Sequence, residues 1–477
     1  MLAPVRWTIK TVGLLLARGG WIDLRRAVRT SDLAWPRIVT GVARMSRTAV
    51  DVAMVGAAVG APAIAGIGFA TPYWVLAFVL GGGIAGGTIS LVSQRFSASG
   101  QQKEDAGVSA AVAMSAAFAV AATLPLTLWF GAAPESLIRL IGSGNEAVSH
   151  GARYLRLVSL SMPFAALNLV ASRTLVGAGD AWAPMVVRAG GAAANVALNA
   201  VLIFGLGWGV VGAALGTVVT TAAVTGVFAV GLTAGRLPLV GALPVRIRWG
   251  ASAAGERRRR TARDLFAIAA PLALTSLVQM GAQFPLLAIV SLFGPQVVAA
   301  FVIALRVRDL LNTPGWGFGL ASSSLVGQAL GQGREREATA YGRDVLRFAL
   351  AVYIGAAAVV FVLAEPVGRL FTGNPAVAPT AAALIRATCV SVVFWGLMNG
   401  ALGPLRAGGD TQWPFYGQAL GLFVFALPAA YLGATTALGL AGLYAALVLE
   451  TIVPAAVTYA RYRSGRWRVM SRAYRPA

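Results

Sequence analysis

The stretch LVGAGDAWAP, residues 175–184, returns 230 residues later as LRAGGDTQWP, residues 405–414, with Asp180 matching Asp410 and Pro184 matching Pro414. A second pair, LVSQRFSASGQQKEDA at 91–106 and LVGQALGQGREREA at 325–338, matches Gln94 to Gln328 at an offset of 234. Two ordered matches at nearly one offset mark an internal duplication. Each motif reads as a Gly-rich turn, and Pro184 and Pro414 fit the first turn of a following helix. A phosphate-cradling role is the disfavoured alternative, because no Walker lysine and no preceding strand accompany the glycines.

What lies between the motifs is apolar. Of 477 residues, 57% are hydrophobic and 12% are charged, and the mean hydropathy is +0.74. Soluble domains carry roughly 25% charged residues, whereas apolar stretches of about 20 residues, enough to cross a bilayer, recur here. The ten-residue alternation of an outer-membrane barrel is absent. The fold class is therefore an all-α polytopic membrane protein.

We count twelve spans, near 36–60, 63–93, 107–130, 150–174, 184–206, 210–234, 263–290, 297–327, 340–365, 376–402, 412–433 and 437–461. Six spans separate each motif from its copy, so the halves share one orientation as parallel repeats about the membrane normal, with a substrate path between them. The domains follow: a basic segment 1–34, an N-lobe 35–234, a linker 235–262, a C-lobe 263–461 and a basic tail 462–477. Segment 1–34 reads either as an amphipathic helix on the inner leaflet or as a structureless tail.

The net charge of +22 does not indicate nucleic-acid binding, because the arginines cluster in alternate loops. That pattern places both termini and the linker in the cytoplasm, in a multi-pass protein of the cell membrane. One cysteine, Cys389, and one histidine, His150, rule out a disulfide framework or a Cys/His metal centre. They also leave little for an enzyme's acid–base or metal chemistry. No nucleotide motif supplies energy, so any pumping must draw on an ion gradient, and no resident cofactor is expected.

Against this background Asp51 stands out, since a charged side chain at membrane depth is costly and seldom kept without a use. Asn195 and Asn199, four apart, share one face of span five, and Thr217 lies early in span six. At 1.5 Å per residue, Asp51, Asn199 and Thr217 all fall about 12–13 Å from the same end of their spans. At the repeat offsets, the second half places Pro285, Phe425, Ala429 and Leu447 where the first has Asp51, Asn195, Asn199 and Thr217. A requirement of the scaffold would have applied to both halves. The set therefore reads as a site for a proton or a sodium ion, with oxygen-only ligands suited to a hard cation. The competing reading is a group of ordinary interhelical hydrogen bonds. Arg47, four residues before Asp51 on the same face, is the candidate modulator, which would keep the carboxylate ionised if it pairs.

In the second half, Arg306, Arg308 and Asp309 lie within span eight, and Asp309 is in reach of Arg306 at i, i+3. Pro314, Gly315, Gly317 and Gly319 should loosen that span. Gln279, Phe284, Arg306, Trp316 and Phe318 are candidates for a substrate cavity.

The ordered motifs DVAMVGAAVGAPAIAGIG (51–68), LVSQRFSASG, LVGAGDAWAP, NVALNAVLIFGLGWGVVGAALGT (195–217), LVGQALGQGRE and LRAGGDTQWP resemble the multidrug and toxic compound extrusion (MATE) family, in particular its DinF-like branch. The resemblance spans about residues 50–450. It implies a monomeric antiporter that exports amphipathic, often cationic small molecules against inward proton or sodium flow. It also implies Asp51 as the coupling acid, with Asn195 and Thr217 as associated polar positions. Asn199 stands where some members have an Asp, and Gln279 where another branch has a Glu. Pro36 would be the bending point of span one or, equally, a helix-start proline. A flippase for lipid-linked precursors is the alternative, with Arg306 and Arg308 as its only candidates to meet a pyrophosphate.

Overall fold

A computed structural model describes residues 2–102, 105–142, 144–249, 255–371 and 377–474. Linker residues 250–254, Lys103, Glu104, Met1 and tail residues 475–477 lie outside it. The described chain is almost entirely helical. The first half runs α1 (Leu2–Arg18), α2 (Leu24–Val59), α3 (Ala61–Ala98), α4 (Ala106–Ala132), α5 (Pro134–Arg139), α6 (Asn145–Val158), α7 (Met162–Gly177), α8 (Trp182–Ala200) and α9 (Gly209–Ala234). The second runs α10 (Gly255–Ser291), α11 (Pro295–Leu311), α12 (Thr313–Gly331), α13 (Glu335–Val362), α14 (Ala364–Phe371), α15 (Ala378–Ala407), α16 (Gln412–Ala419), α17 (Leu427–Thr435), α18 (Leu440–Arg463) and α19 (Arg466–Ser471).

Among the described residues, ten helical runs are long and apolar enough to cross a membrane. Two more spans complete the twelve. One is α2, which carries several arginines; the other is the broken pair α11–α12. Span eight breaks at Asn312, where Pro314 opens the new helix. The break is satisfied from within: the Tyr353 hydroxyl donates to Asn312 Oδ1 at 2.8 Å, and Asn399 Nδ2 to the same oxygen at 3.4 Å.

The duplicated motifs fold as duplicated turns. After α7, Asp180 N bonds Leu175 O at 2.9 Å and Gly179 N bonds Val176 O at 3.0 Å. After α15, Asp410 N bonds Leu405 O at 2.8 Å and Gly409 N bonds Arg406 O at 3.1 Å. Both close a helix C-terminus over a residue in the left-handed region, and only Gly179 (φ 93°) and Gly409 (φ 78°) adopt that at no steric cost. The aspartates then diverge. Asp180 caps α8 by accepting from Ala183 N at 2.9 Å, whereas Asp410 takes Arg461 at 2.6 Å.

The chain divides into two compact units, residues 39–273 and residues 1–38 with 274–475. We call them the N-terminal and C-terminal bundles. Helices α2 and α10 each pass from one to the other. Pro36 lies twelve residues into α2, just before the crossing. The helix-start reading of Pro36 is thus overturned. A proline here removes one backbone hydrogen bond and loosens the helix where it changes bundles.

Segment 1–34 is not a structureless tail. Helix α1 packs on α13, with Gly13 against Phe348, and Lys10 pairs with Asp32 at 2.9 Å. Asp344, nearly buried, accepts from Asp23 N at 3.1 Å and Arg26 Nε at 2.6 Å. The start of the linker is also ordered. Strands β1 (Arg236–Leu237) and β2 (Gly241–Ala242) form a small hairpin, and Leu243, Val245 and Ile247 are buried with Val92, Phe96 and Val108.

Candidate functional site

Asp51 sits on α2, one turn beyond Arg47 and two beyond Arg44, so the three side chains share a helix face. That face meets α8 and α9 within the N-terminal bundle. Asn199, wholly buried on α8, donates from Nδ2 to Asp51 Oδ1 at 2.9 Å and to Asn195 Oδ1 at 3.4 Å. Asn195, also wholly buried, donates from Nδ2 to the Thr220 hydroxyl at 3.0 Å. On the other side of the carboxylate, Arg47 Nε lies 3.8 Å from Asp51 Oδ2. This is an ion pair without a hydrogen bond. The structure thus brings Asp51, Asn195, Asn199 and Arg47 together.

Thr217 contributes differently. Its hydroxyl donates back to Ala213 O at 3.0 Å and lies within hydrogen-bonding reach of Tyr154 on α6. Tyr154 also feels the charges of Asp51 and Arg47. Neither Tyr154 nor Thr220 was among the residues singled out from sequence. A tyrosine in an amphipathic stretch carries no distinguishing local signal, and Thr220 is one of several threonines on α9.

One atom of the network is left over. Asn199 Oδ1 is buried and has no hydrogen-bond partner. It faces the backbone of α9 at Gly216, where any Cβ would collide with it. A buried carbonyl left unsatisfied costs about 1–3 kcal/mol, so its position beside the one carboxylate needs a reason. The described residues contain no cluster of three or more His, Cys, Asp or Glu side chains fit for a metal. The donor set that does exist consists of oxygens: Asp51, Asn195, Asn199 and Thr217. Such a set is chemically suited to a proton or a hard monovalent cation.

The network opens at both ends onto one cavity of about 70 Å³ inside the N-terminal bundle. Arg47 and Thr220 both line it, together with Arg44, Trp74, Asn168 and Arg188. Arg188 was also missed, although an arginine four residues into span five is visible in the sequence as a charge within an apolar span.

The second-half candidates fare otherwise. Phe318 is fully buried and packs on Phe348 at 4.9 Å, so it is core and not cavity lining. Trp316 receives the Arg37 guanidinium over its ring at 5.7 Å, and Gln279 donates to Gln418 at 3.0 Å. Phe284 and Arg306 lie on exposed helix faces. Asp309 is exposed too, and the ion pair of this span joins Arg308 to Glu450 at 3.1 Å. The second half therefore does hold a buried charge cluster of its own, and Arg308 is committed to a carboxylate instead of awaiting a pyrophosphate.

Comparison with known proteins agrees with this architecture. The family model MatE matches residues 36–201 and 271–432. An uncharacterized transporter, YisQ of Bacillus subtilis, is 26% identical over 411 residues, covering 85% of this chain and 87% of its own. A probable multidrug resistance protein, NorM of Bradyrhizobium diazoefficiens, is 26% identical over 454 residues, covering 91% and 93%. Among solved structures, a MATE protein in a bent conformation superposes with a TM-score of 0.83 at 22% identity, over 94% of this chain and 96% of that one. Twelve spans in two repeated six-helix halves, with the family model matching each half, make this chain a member of the MatE family of membrane transporters, and a transporter rather than an enzyme.

Proposed function

We propose that the protein is an ion-coupled antiporter that exports amphipathic organic compounds by alternating access, with Asp51 as the coupling carboxylate and H+ or Na+ as the coupling ion. Export of drug-like compounds is suggested by the names of its relatives, among them the multidrug resistance protein NorM. The observation that carries the coupling role is the pairing of Asp51 with Asn199, whose own carbonyl oxygen is left without a partner.

The chemistry of an amide makes that pairing responsive. An ionised Asp51 only accepts hydrogen bonds, so it takes the Asn199 N–H group. A protonated Asp51 has an O–H to donate, and a turned amide offers it the free oxygen. Sodium would draw on the same carbonyl as a ligand. Either ion changes which atom of Asn199 faces α2, and so changes how α2 packs on α8 and α9. Because α2 loosens at Pro36 where it leaves the N-terminal bundle, such repacking biases one conformation over another. Arg47 sets the threshold, since its charge must yield before a cation settles on Asp51.

The test is Asp51→Asn in proteoliposomes. With expression and fold intact, uphill export of an amphipathic dye should fall to background under both an imposed pH gradient and an imposed sodium gradient. Whichever gradient drives the wild type identifies the ion. Unchanged transport by the variant would remove Asp51 from the mechanism.

A further inference from the structure

A second cavity, of about 560 Å³, opens in the C-terminal bundle where α13 begins and α18 ends. Both helices pack on α15, which contributes Leu397 to the cavity wall. Four arginines line it: Arg343 and Arg347 from α13, Arg463 from the end of α18, and Arg468 from α19. No carboxylate is among the lining residues. Arg343 has a part share in Asp344, at 3.5 Å, but Arg26 already holds that carboxylate at 2.6 Å. Arg347 donates to Trp21 O at 2.7 Å and Arg468 to Gly465 O at 3.3 Å. Both acceptors are neutral carbonyls, which do not cancel a charge. The cleft is strongly basic.

The other bundle shows the same cleft filled. At the repeat offsets, Arg343, Leu346, Tyr462 and Arg463 correspond to Ser109, Val112, Leu232 and Thr233. All four meet the ordered start of the linker. Ser109 Oγ accepts from Arg248 N at 3.2 Å, Leu232 O from Ile247 N at 2.8 Å, and Thr233 O from Arg246 Nε at 2.8 Å. Val112 is buried with Leu243, Val245 and Ile247. The N-terminal bundle thus covers its cleft with residues 243–248 of its own chain. In the C-terminal bundle the equivalent walls carry arginines and a tyrosine, Tyr462, that stacks on Trp467 at 6.1 Å.

The arginines also head an apolar stripe. Arg343, Arg347, Leu350 and Ile354 follow one face of α13 at i, i+4, i+7 and i+11, and Ile354 is 52% exposed. We infer that this cleft binds an anionic phospholipid, with its phosphate among Arg343, Arg347 and Arg463 and an acyl chain along Leu350 and Ile354. Guanidinium groups take phosphate oxygens through charge-assisted, often bidentate hydrogen bonds. Tyr459, Tyr462 and Trp467 supply the amphipathic rings that suit the headgroup level. From the loop charges, this end of the bundle is expected in the cytoplasmic leaflet, whose anionic lipids bind basic clefts between helices. The lipid does for the C-terminal bundle what residues 243–248 do for the N-terminal one. Asp51 takes no part in it.

The test uses the purified full chain in a nonionic detergent. Phosphatidylglycerol carrying a fluorescent acyl chain is titrated against it, beside phosphatidylcholine with the same chains. The anionic lipid should bind at least about tenfold tighter. The double variant Arg343→Gln/Arg347→Gln should weaken it by about tenfold or more, as expected for two basic residues at a lipid headgroup, and leave phosphatidylcholine unchanged. Arg336→Gln, exposed on the first turn of α13 and outside the cleft, should alter neither lipid. If the double variant does not run as a single species in gel filtration, Arg463→Gln takes its place, with a loss of about fivefold expected. Inorganic phosphate at fixed ionic strength should not displace the lipid. Displacement would hand the site to a soluble phosphate and overturn the inference. Equal binding of the two lipids, indifference to the cleft variants, or an equal loss on Arg336→Gln overturns it as well.

Discussion

The two bundles descend from one repeated plan and fill one repeated position differently. In the C-terminal bundle, Arg308 meets Glu450 at 3.1 Å and lies over the Trp395 ring at 5.2 Å. At the repeat offsets these three residues correspond to Trp74, Thr220 and Ala165, all of which line the cavity of the N-terminal bundle. One copy thus fills the position with an ion pair beside an indole, while the other leaves a cavity there that Arg44, Arg47 and Arg188 line. Duplication preserves turns, glycines and span lengths, because these set the backbone. It does not preserve charge, which is free to specialise once the backbone stands. A neutral pair holds only if both partners remain, because removing one strands the other in the interior.

That contrast can be broken or sharpened by substitution. The largest expected loss of stability is Glu450→Ala, which strands Arg308 in the interior and should cost about 3–5 kcal/mol. Thermal unfolding of the purified protein in detergent would show it as a large drop in midpoint, and an unshifted midpoint would mean that the pair is not the closed, self-sufficient unit described here. A smaller effect is expected from Gly216→Ala in the other bundle. The new methyl would occupy the place of Asn199 Oδ1, forcing the amide away from Asp51. The strain of about 1–3 kcal/mol is partly offset by the ~1 kcal/mol gained on replacing a helical glycine with alanine. Stability should therefore change little while gradient-driven export falls several-fold, measured in the same proteoliposomes. Export at the wild-type rate would show that the contact between α8 and α2 is mere packing.

The fold was legible in the sequence for a physical reason. Span length, loop charge and Gly-Asp turns are local, and the repeat announces itself as similarity at a fixed offset. The twelve spans fall within a few residues of the helices, except that the first and seventh extend, the eighth breaks, and the fourth and eleventh change helix type part-way, at residues 159–161 and 420–426. Helix α2 starts at Leu24 because its first turns pack in the C-terminal bundle, an interaction that polar composition hides. Asp51, Asn195 and Asn199 were legible because each violates its apolar surroundings. Glu450 and Arg188 violate theirs as well, yet their meaning depends on helices 142 residues away in one case and on α2 in the other. Phe318 was misplaced because an aromatic beside flexible glycines looks the same whether it lines a cavity or packs on Phe348. Pro36 could only be placed once the helix was seen to begin twelve residues earlier.

The central claim is that Asp51 carries the ion. It is tested most directly by following the ion itself: proteoliposomes are given substrate on one side with no gradient imposed, and proton movement is recorded with a trapped pH dye and sodium movement with an isotope. Wild-type protein should move one of the two ions opposite to the substrate, and Asp51→Asn should move neither while still binding substrate. Ion movement by Asp51→Asn equal to that of the wild type would contradict the account.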